Sequence, residues 1–306
     1  MRAMAARVRF ERLATERVNP HSARLDQLDA RAIATLMNRE DRVAVAAVGR
    51  AAPAIASAVE TIVGALRGGG RLFFVGAGTS GRLGVLEAAE CPPTFGTRPG
   101  LVQAIMAGGR GSVFRSREGA EDDGRAAARA VRARVRRGDV VVGVSASGVT
   151  PFVRSALATA RGLRASTVLV QCNANRSRVA ADVTIRAVPG PEVLAGSTRL
   201  KAGTATKLVL NTLTTASMTR LGKVYGNRMI DLQPRSAKLQ ARAERLVAEI
   251  AGVGAARARR ALRGARGRVR LAIVMARGNL PAGAAARALR AAGGSLRSVL
   301  EPRPSR

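Results

Sequence analysis

Three short stretches of this chain set serine or threonine hydroxyls beside glycines. They are Gly76-Ala77-Gly78-Thr79-Ser80-Gly81, Ser145-Ala146-Ser147-Gly148-Val149-Thr150 and Gly196-Ser197-Thr198-Arg199-Leu200-Lys201-Ala202-Gly203-Thr204. Each stands where a helical pattern begins, and the first two follow strand-like runs. Free backbone N–H groups at a helix start, next to hydroxyls, form a cradle for a phosphate monoester. Read letter by letter, the first stretch also fits G-x-G-x-x-G, the dinucleotide fingerprint. That fingerprint wants an acidic residue about twenty positions on to hold a ribose, and the corresponding run, LVQAIMAGG, ends in glycines instead. One such turn alone would pass as a tight turn; three point to a phosphosugar. The candidate binding residues are Gly78, Thr79 and Ser80, then Ser145, Ser147 and Thr150, then Ser197, Thr198 and Lys201.

Proton-transfer groups are few. His21 is the only histidine, and Cys91 and Cys172 are isolated, so no His/Cys metal cluster is expected. A Ser-His-Asp triad would have to use His21, which lies in an irregular stretch. Among the scarce carboxylates, Glu87, Glu90, Glu118, Glu121, Asp122 and Asp123 lie near the glycine turns. Glu90 directly precedes Cys91-Pro92-Pro93. The double proline is expected to end the helix and freeze the chain, holding that carboxyl rigidly at a pocket mouth. Glu121 to Asp123 open a helical pattern, where acidic residues commonly serve as caps and dipole partners. Both roles stay open at this point.

Around these residues, RLFFVGAG, LVQAIMAGG, DVVVGVSASG, STVLVQC and DVTIRAV are short apolar runs separated by helical stretches. Strands alternating with helices at this spacing predict right-handed βαβ crossovers and a parallel sheet. The runs are apolar without alternation, as in strands covered on both faces. Before them, two helical patterns run end to end from Leu28 to Arg67 and meet near Pro53, with Ile55, Val59, Ile62, Val63 and Leu66 on one face of the second. A long helix is expected from Lys201 to Leu221. The Arg/Ala-rich remainder reads as helices with turns at Gly252-Val253-Gly254, Asn279-Leu280-Pro281 and Gly293-Gly294, then a frayed tail at Pro302-Arg303-Pro304.

Charge is lopsided, with 52 Lys and Arg against 20 Asp and Glu, a formal +32. Such a balance suits a nucleic-acid binder. However, the arginines are scattered through helical segments, as at Arg125, Arg129, Arg132, Arg134, Arg136 and Arg137, and aromatic residues are 2% of the chain, with Tyr225 the sole tyrosine and no tryptophan. That leaves no platform for stacking bases. The expectation is non-specific attraction to polyanions at low salt, no specific nucleic-acid partner, and a field that draws small anions. No run approaches the roughly 18 apolar residues of a membrane helix. The Arg-interrupted N-terminal stretch does not read as a secretory signal. Two cysteines fit a reducing compartment, the cytoplasm.

GAGTSGRLGVLEAAECPPTFG, EGAEDD, SASGVTPFV, GPEVLAGSTRLKAGTATKLVLNTLTTASM and GKVYGN, in that order, resemble the N-acetylmuramic acid 6-phosphate etherase family, which carries a sugar-isomerase (SIS) phosphosugar-binding domain. TERVNPHSARLD and RLAIVMARGNLPAGAAARALRAAGGSLRSVL are similar to that family's ends, so the match runs from residue 14 to residue 300. The resemblance implies an SIS-type three-layer αβα sandwich with a small C-terminal helical subdomain, divided as a lead-in at 1–27, an SIS domain with flanking helices at 28–234, and a subdomain and tail at 235–306. It implies a lyase of peptidoglycan recycling that needs no cofactor or metal and works as a homodimer with the site completed across the interface. By motif, Glu90 of ECPPT maps to the proton donor and Glu121 of EGAED to the second proton-transfer residue. A carboxylic acid donates at neutral pH only where burial disfavours its charged form, and Glu90 beside its prolines is expected to be so buried. Val149 stands where an arginine is common in that family, leaving Arg154 or Arg199 to supply the cation; Glu87 and Ala89 replace the more usual Asp and Ser. A non-catalytic SIS phosphosugar sensor would need the turns but not both glutamates, and an aldose–ketose isomerase on the same domain would keep the lactyl group.

Overall fold

The five apolar runs form β1 (Leu72–Gly76), β2 (Val102–Met106), β3 (Val140–Val144), β4 (Ser166–Gln171) and β5 (Val183–Arg186). They pair in the order β2-β1-β3-β4-β5, every pair parallel. This computed structural model describes residues 11, 13–174, 180–232, 234 and 236–301; the expected frayed tail at Pro302-Arg303-Pro304 lies outside the described residues. The chain divides into two compact units, one of Met1–Ala89 and Gly100–Thr215, the other of Glu90–Pro99 and Ala216–Arg306.

In the first unit the sheet is flanked by α1 (Ala30–Arg50), α2 (Ala52–Arg67), α3 (Gly78–Phe95), α4 (Gly124–Arg134), α5 (Pro151–Gly162) and the start of α6 (Lys201–Arg220). β1 and β3 are buried at every position, which is why their sequences do not alternate. Phe73, Val75, Val141 and Leu169 pack with Val131 of α4 and with Phe152 and Leu157 of α5. Gly143 belongs to this face: a Cβ there would stand 2.7 Å from Val153 Cγ1, so only glycine lets α5 close on the sheet. Phe74 points the other way, toward Gly84 of α3, where an added Cβ would come within 2.7 Å of its own Cβ. Helices on both faces make the expected three-layer α/β architecture.

Helix boundaries follow local chemistry. Asp29 caps α1 by accepting the Ala32 N–H at 2.7 Å. α1 and α2 meet at Ala51 with a 60° bend, and Pro53 sits in the first turn of α2, where its missing donor costs nothing. No single helix among the described residues is long and apolar enough to cross a membrane.

One expectation fails. The double proline does not stop α3 at Glu90; the helix runs through Pro92 and Pro93 to Phe95. A proline's fixed φ is helical, and the two ladder bonds forgone fall in the final turn, which Gly96 closes by donating to the Pro92 carbonyl at 3.0 Å. Continuing the helix puts Cys91 and Phe95, four apart, on the buried side, and leaves Glu90 exposed rather than buried.

Among its described residues the second unit is helical apart from a small antiparallel hairpin of β6 (Val224–Tyr225) and β7 (Arg228–Met229). α7 (Ala237–Ala251), α8 (Ala255–Gly264), α9 (Val269–Gly278), α10 (Ala282–Ala291) and α11 (Leu296–Leu300) share a core of Leu246, Val247, Leu262, Leu271, Ile273 and Leu296. The expected turns end the helices: Gly252 and Asn279 take left-handed C-caps after α7 and α9.

Candidate phosphosugar site

Strand order reverses between β1 and β3, so the loops leaving these strands diverge and open a crevice at their carboxyl ends. A cavity of about 810 Å³ lies there. Ala77, Gly78, Thr79 and Ser80 line it after β1, Ser145 to Ser147 with Val149 and Thr150 line it after β3, and Gly196 and Thr198 come from the third turn. The first turn closes tightly because glycines stand at both its ends: a Cβ on Gly76 would lie 2.7 Å from the Gly81 nitrogen, and one on Gly81 would lie 2.6 Å from the Gly76 carbonyl oxygen. In the second, Gly148 takes φ +73° against Gln171, a conformation and a clearance that demand glycine.

The second turn gathers its hydroxyls. Ser145 Oγ stands 2.7 Å from Thr150 Oγ1 and 3.2 Å from Ser147 Oγ. The Gly148 N–H donates to Ser145 Oγ at 3.0 Å and the Val149 N–H to Ser147 Oγ at 3.2 Å. A hydroxyl that accepts from the backbone keeps its own proton to give to an anion. Thr150 is the N-cap of α5 and makes no side-chain capping bond, so the cluster sits at the positive end of that helix. Val149 adds no charge, but Arg154, within the first turn of α5, lines the same cavity. Arg199 is exposed and does not.

Ser197 and Lys201 of the third turn do not line this cavity. Lys201 Nζ lies 2.6 Å from Glu40 Oε2 of α1, both side chains 3% exposed. Glu40 also accepts from Asn19 Nδ2 at 2.8 Å and meets His21 Nδ1 at 2.8 Å. Burial alone would push the Glu40 carboxyl up, but the bonds from Lys201, His21 and Asn19 outweigh it and hold the pKa at about 2. The start of α6 is likewise occupied from within: the Lys201 and Ala202 N–H groups donate to the Glu192 carboxylate at 2.8 and 2.9 Å. Burial pushes Glu192 up, with those backbone bonds opposing it.

Glu121 lines the cavity and stands exposed ahead of α4. The capping role falls to Asp123, whose carboxylate accepts the Ala126 N–H at 2.7 Å, so Glu121 and Asp122 lie before the helix rather than in its first turn. Among the described residues the cavity lining comes from the first unit, and Glu90, which belongs to the second, does not line it. Glu87, on the preceding turn of α3, is buried and accepts from Thr214 Oγ1 at 2.6 Å.

Leu13 and Glu16 also line the cavity, and the sequence offered no local sign of it. Asn173, beyond β4, fixes this lead-in: its Oδ1 accepts the Ala14 N–H at 2.8 Å, and its Nδ2 donates to Thr15 Oγ1 at 3.3 Å. The Gly196 N–H donates to the Thr15 carbonyl at 3.0 Å.

The glucokinase regulatory protein N-terminal SIS domain matches residues 54–161. The chain is 53% identical over 291 residues to the N-acetylmuramic acid 6-phosphate etherase of Gloeobacter violaceus, covering 94% of this chain and 95% of that one. The chain belongs to the N-acetylmuramic acid 6-phosphate etherase family. An etherase of Geobacillus thermodenitrificans is 51% identical, over 87% of this chain and 91% of its own. Among solved structures, a phosphoheptose isomerase from Francisella tularensis aligns with a TM-score of 0.47 at 18% identity, over 64% of this chain and 98% of that one.

Proposed function

We propose that this chain is a carbon–oxygen lyase that cleaves the D-lactyl ether of N-acetylmuramic acid 6-phosphate, giving N-acetylglucosamine 6-phosphate and D-lactate in amino-sugar recycling. The observation that carries the reading is one cavity lined by hydroxyls from three turns and by Glu121, in a chain of the etherase family. Gly78, Thr79, Ser80, Ser145, Ser147, Thr150 and Thr198, with Arg154, would hold the phosphate and sugar.

In the open-chain sugar the C1 aldehyde acidifies the C2 proton. A base removes that proton, its electron pair forms the C2=C3 bond, and the C3–O bond breaks. The lactyl oxygen leaves as an alkoxide too basic to depart unaided, so an acid protonates it. Water then adds at C3 and a proton returns to C2. Each assisted transfer is worth on the order of 10²–10⁴ in rate. In this reading Glu90 gives the leaving group its proton and Glu121 serves the reacting carbons or the water. Glu90 is exposed in a single chain, and an acid that donates at neutral pH needs enclosure; a homodimer supplies it here. The reading places the enzyme in the cytoplasm.

The test is D-lactate release from N-acetylmuramic acid 6-phosphate by purified protein with chelator present. Lactate that disappears in Glu90→Ala, with the fold intact by circular dichroism, supports the lyase. Thermal stabilisation by the phosphosugar without lactate would make the chain a sensor.

A further inference from the structure

Beside the phosphosugar cavity lies a smaller one of about 270 Å³, sharing Ala77, Gly78 and Glu121 with it. Its remaining polar lining is Arg82 of α3 and Ser112, Ser116, Arg117 and Glu118 of the loop after β2, so two guanidinium groups face two carboxylates, Glu118 and Glu121, across the space. Arg82 is held firmly. Its Nε–H donates to the Val113 carbonyl at 2.8 Å, and Nη2 donates to the Ser112 carbonyl at 3.0 Å and to Ser116 Oγ at 3.3 Å. A guanidinium has five donors; the two on Nη1 have no protein partner among the described residues. Ser112 is 4% exposed, and its hydroxyl is without a partner among them. Gly108, at φ +76°, makes room for that hydroxyl, which would collide with any Cβ there.

We infer that this annex is the subsite for the carboxylate of the substrate's lactyl group. The inference rests on the etherase reading, whose substrate carries two anionic groups. The phosphate has its cradle in the hydroxyl cluster at the start of α5. The annex, a third as large, offers the Nη1 donors of Arg82 and the guanidinium of Arg117, charged donors that suit a carboxylate. A buried hydroxyl without a partner calls for something to complete it, and a carboxylate oxygen does so. Glu121 stands in the wall between the two spaces, so a substrate spanning both carries C3 and its ether oxygen past that carboxyl. After C–O cleavage the same contacts retain lactate while water adds to the sugar.

The experiment compares Ser112→Ala and Arg117→Ala with the parent on two ligands. For N-acetylmuramic acid 6-phosphate, kcat/KM falls about tenfold or more in each, the loss expected for a hydrogen bond to a charged group. Affinity for N-acetylglucosamine 6-phosphate, which lacks the lactyl group, stays within about twofold by calorimetry. Ser112→Ala melts no lower than the parent, because it deletes a hydroxyl that bonds nothing in the fold; a purely structural serine would lower the melt. Equal losses on both ligands, or no loss on either, overturn the annex. A parent that makes no lactate overturns the etherase reading instead. The annex is then read by D-lactate binding to protein loaded with N-acetylglucosamine 6-phosphate: loss of that binding in the variants supports it, and unchanged binding overturns it.

Discussion

A hydroxyl that accepts from a backbone N–H is oriented before any ligand arrives, and this is the condition of Ser145 and Ser147. Removing one such donor should weaken anion binding without touching the proton transfers. Ser147→Ala is expected to raise KM about tenfold with kcat little changed, since hydrogen bonds to charged groups contribute about 1.5–3 kcal/mol; steady-state kinetics decide it, and an unchanged KM would contradict the assignment. Glu121→Gln keeps the size of the side chain and removes its base. It should lower kcat by about 10²–10⁴ while calorimetric affinity for N-acetylglucosamine 6-phosphate stays intact. The hydroxyl turns were legible because strand, glycine and hydroxyl lie together in sequence. Leu13 and Glu16 were not, since they reach the cavity through Asn173, 159 residues beyond Ala14. Lys201 looked like a phosphate ligand from its neighbours alone, and no local pattern announces its bond to Glu40, 161 residues earlier.

At the scale of elements, Glu40 ties α1, α6 and the lead-in around one buried carboxylate. Its folded pKa of about 2 lies below the ordinary 4.5. The stabilisation is therefore present above pH 4.5 and is lost as pH falls toward 2. The shift corresponds to roughly 3 kcal/mol. Urea unfolding between pH 7 and pH 2.5 should show this acid limb, and Glu40→Gln should flatten it. Lys201→Met strands the carboxylate in the interior and is expected to cost about 3–5 kcal/mol in the same measurement at pH 7; a loss within experimental scatter would mean the pair is solvated in solution. Strands and most helices were legible from apolar runs and capping residues such as Asp29. The end of α3 was not, because Pro92 and Pro93 read as a stop and the final turn of a helix tolerates their missing donors. The β6–β7 hairpin, two residues to a strand, is too short to leave a period.

For the molecule as a whole, a formal charge of +32 sets up a field rather than a fold. Binding to heparin at low salt should be substantial and should fall steeply as salt shortens the screening length to about 8 Å near physiological ionic strength; the KM for an anionic phosphosugar should rise over the same range. Retention that ignores salt would point to a specific polyanion site. The parallel α/β class was readable because buried strands carry unbroken apolar runs, whereas contacts between distant segments left no such trace. Elimination breaks the bond between C3 and the ether oxygen, and isotope labelling reads that bond directly. Turnover of N-acetylmuramic acid 6-phosphate in ¹⁸O-water, followed by mass spectrometry of both products, should place the label on the sugar and leave the released D-lactate unlabelled. Label in the lactate, or no lactate at all, would contradict elimination followed by hydration.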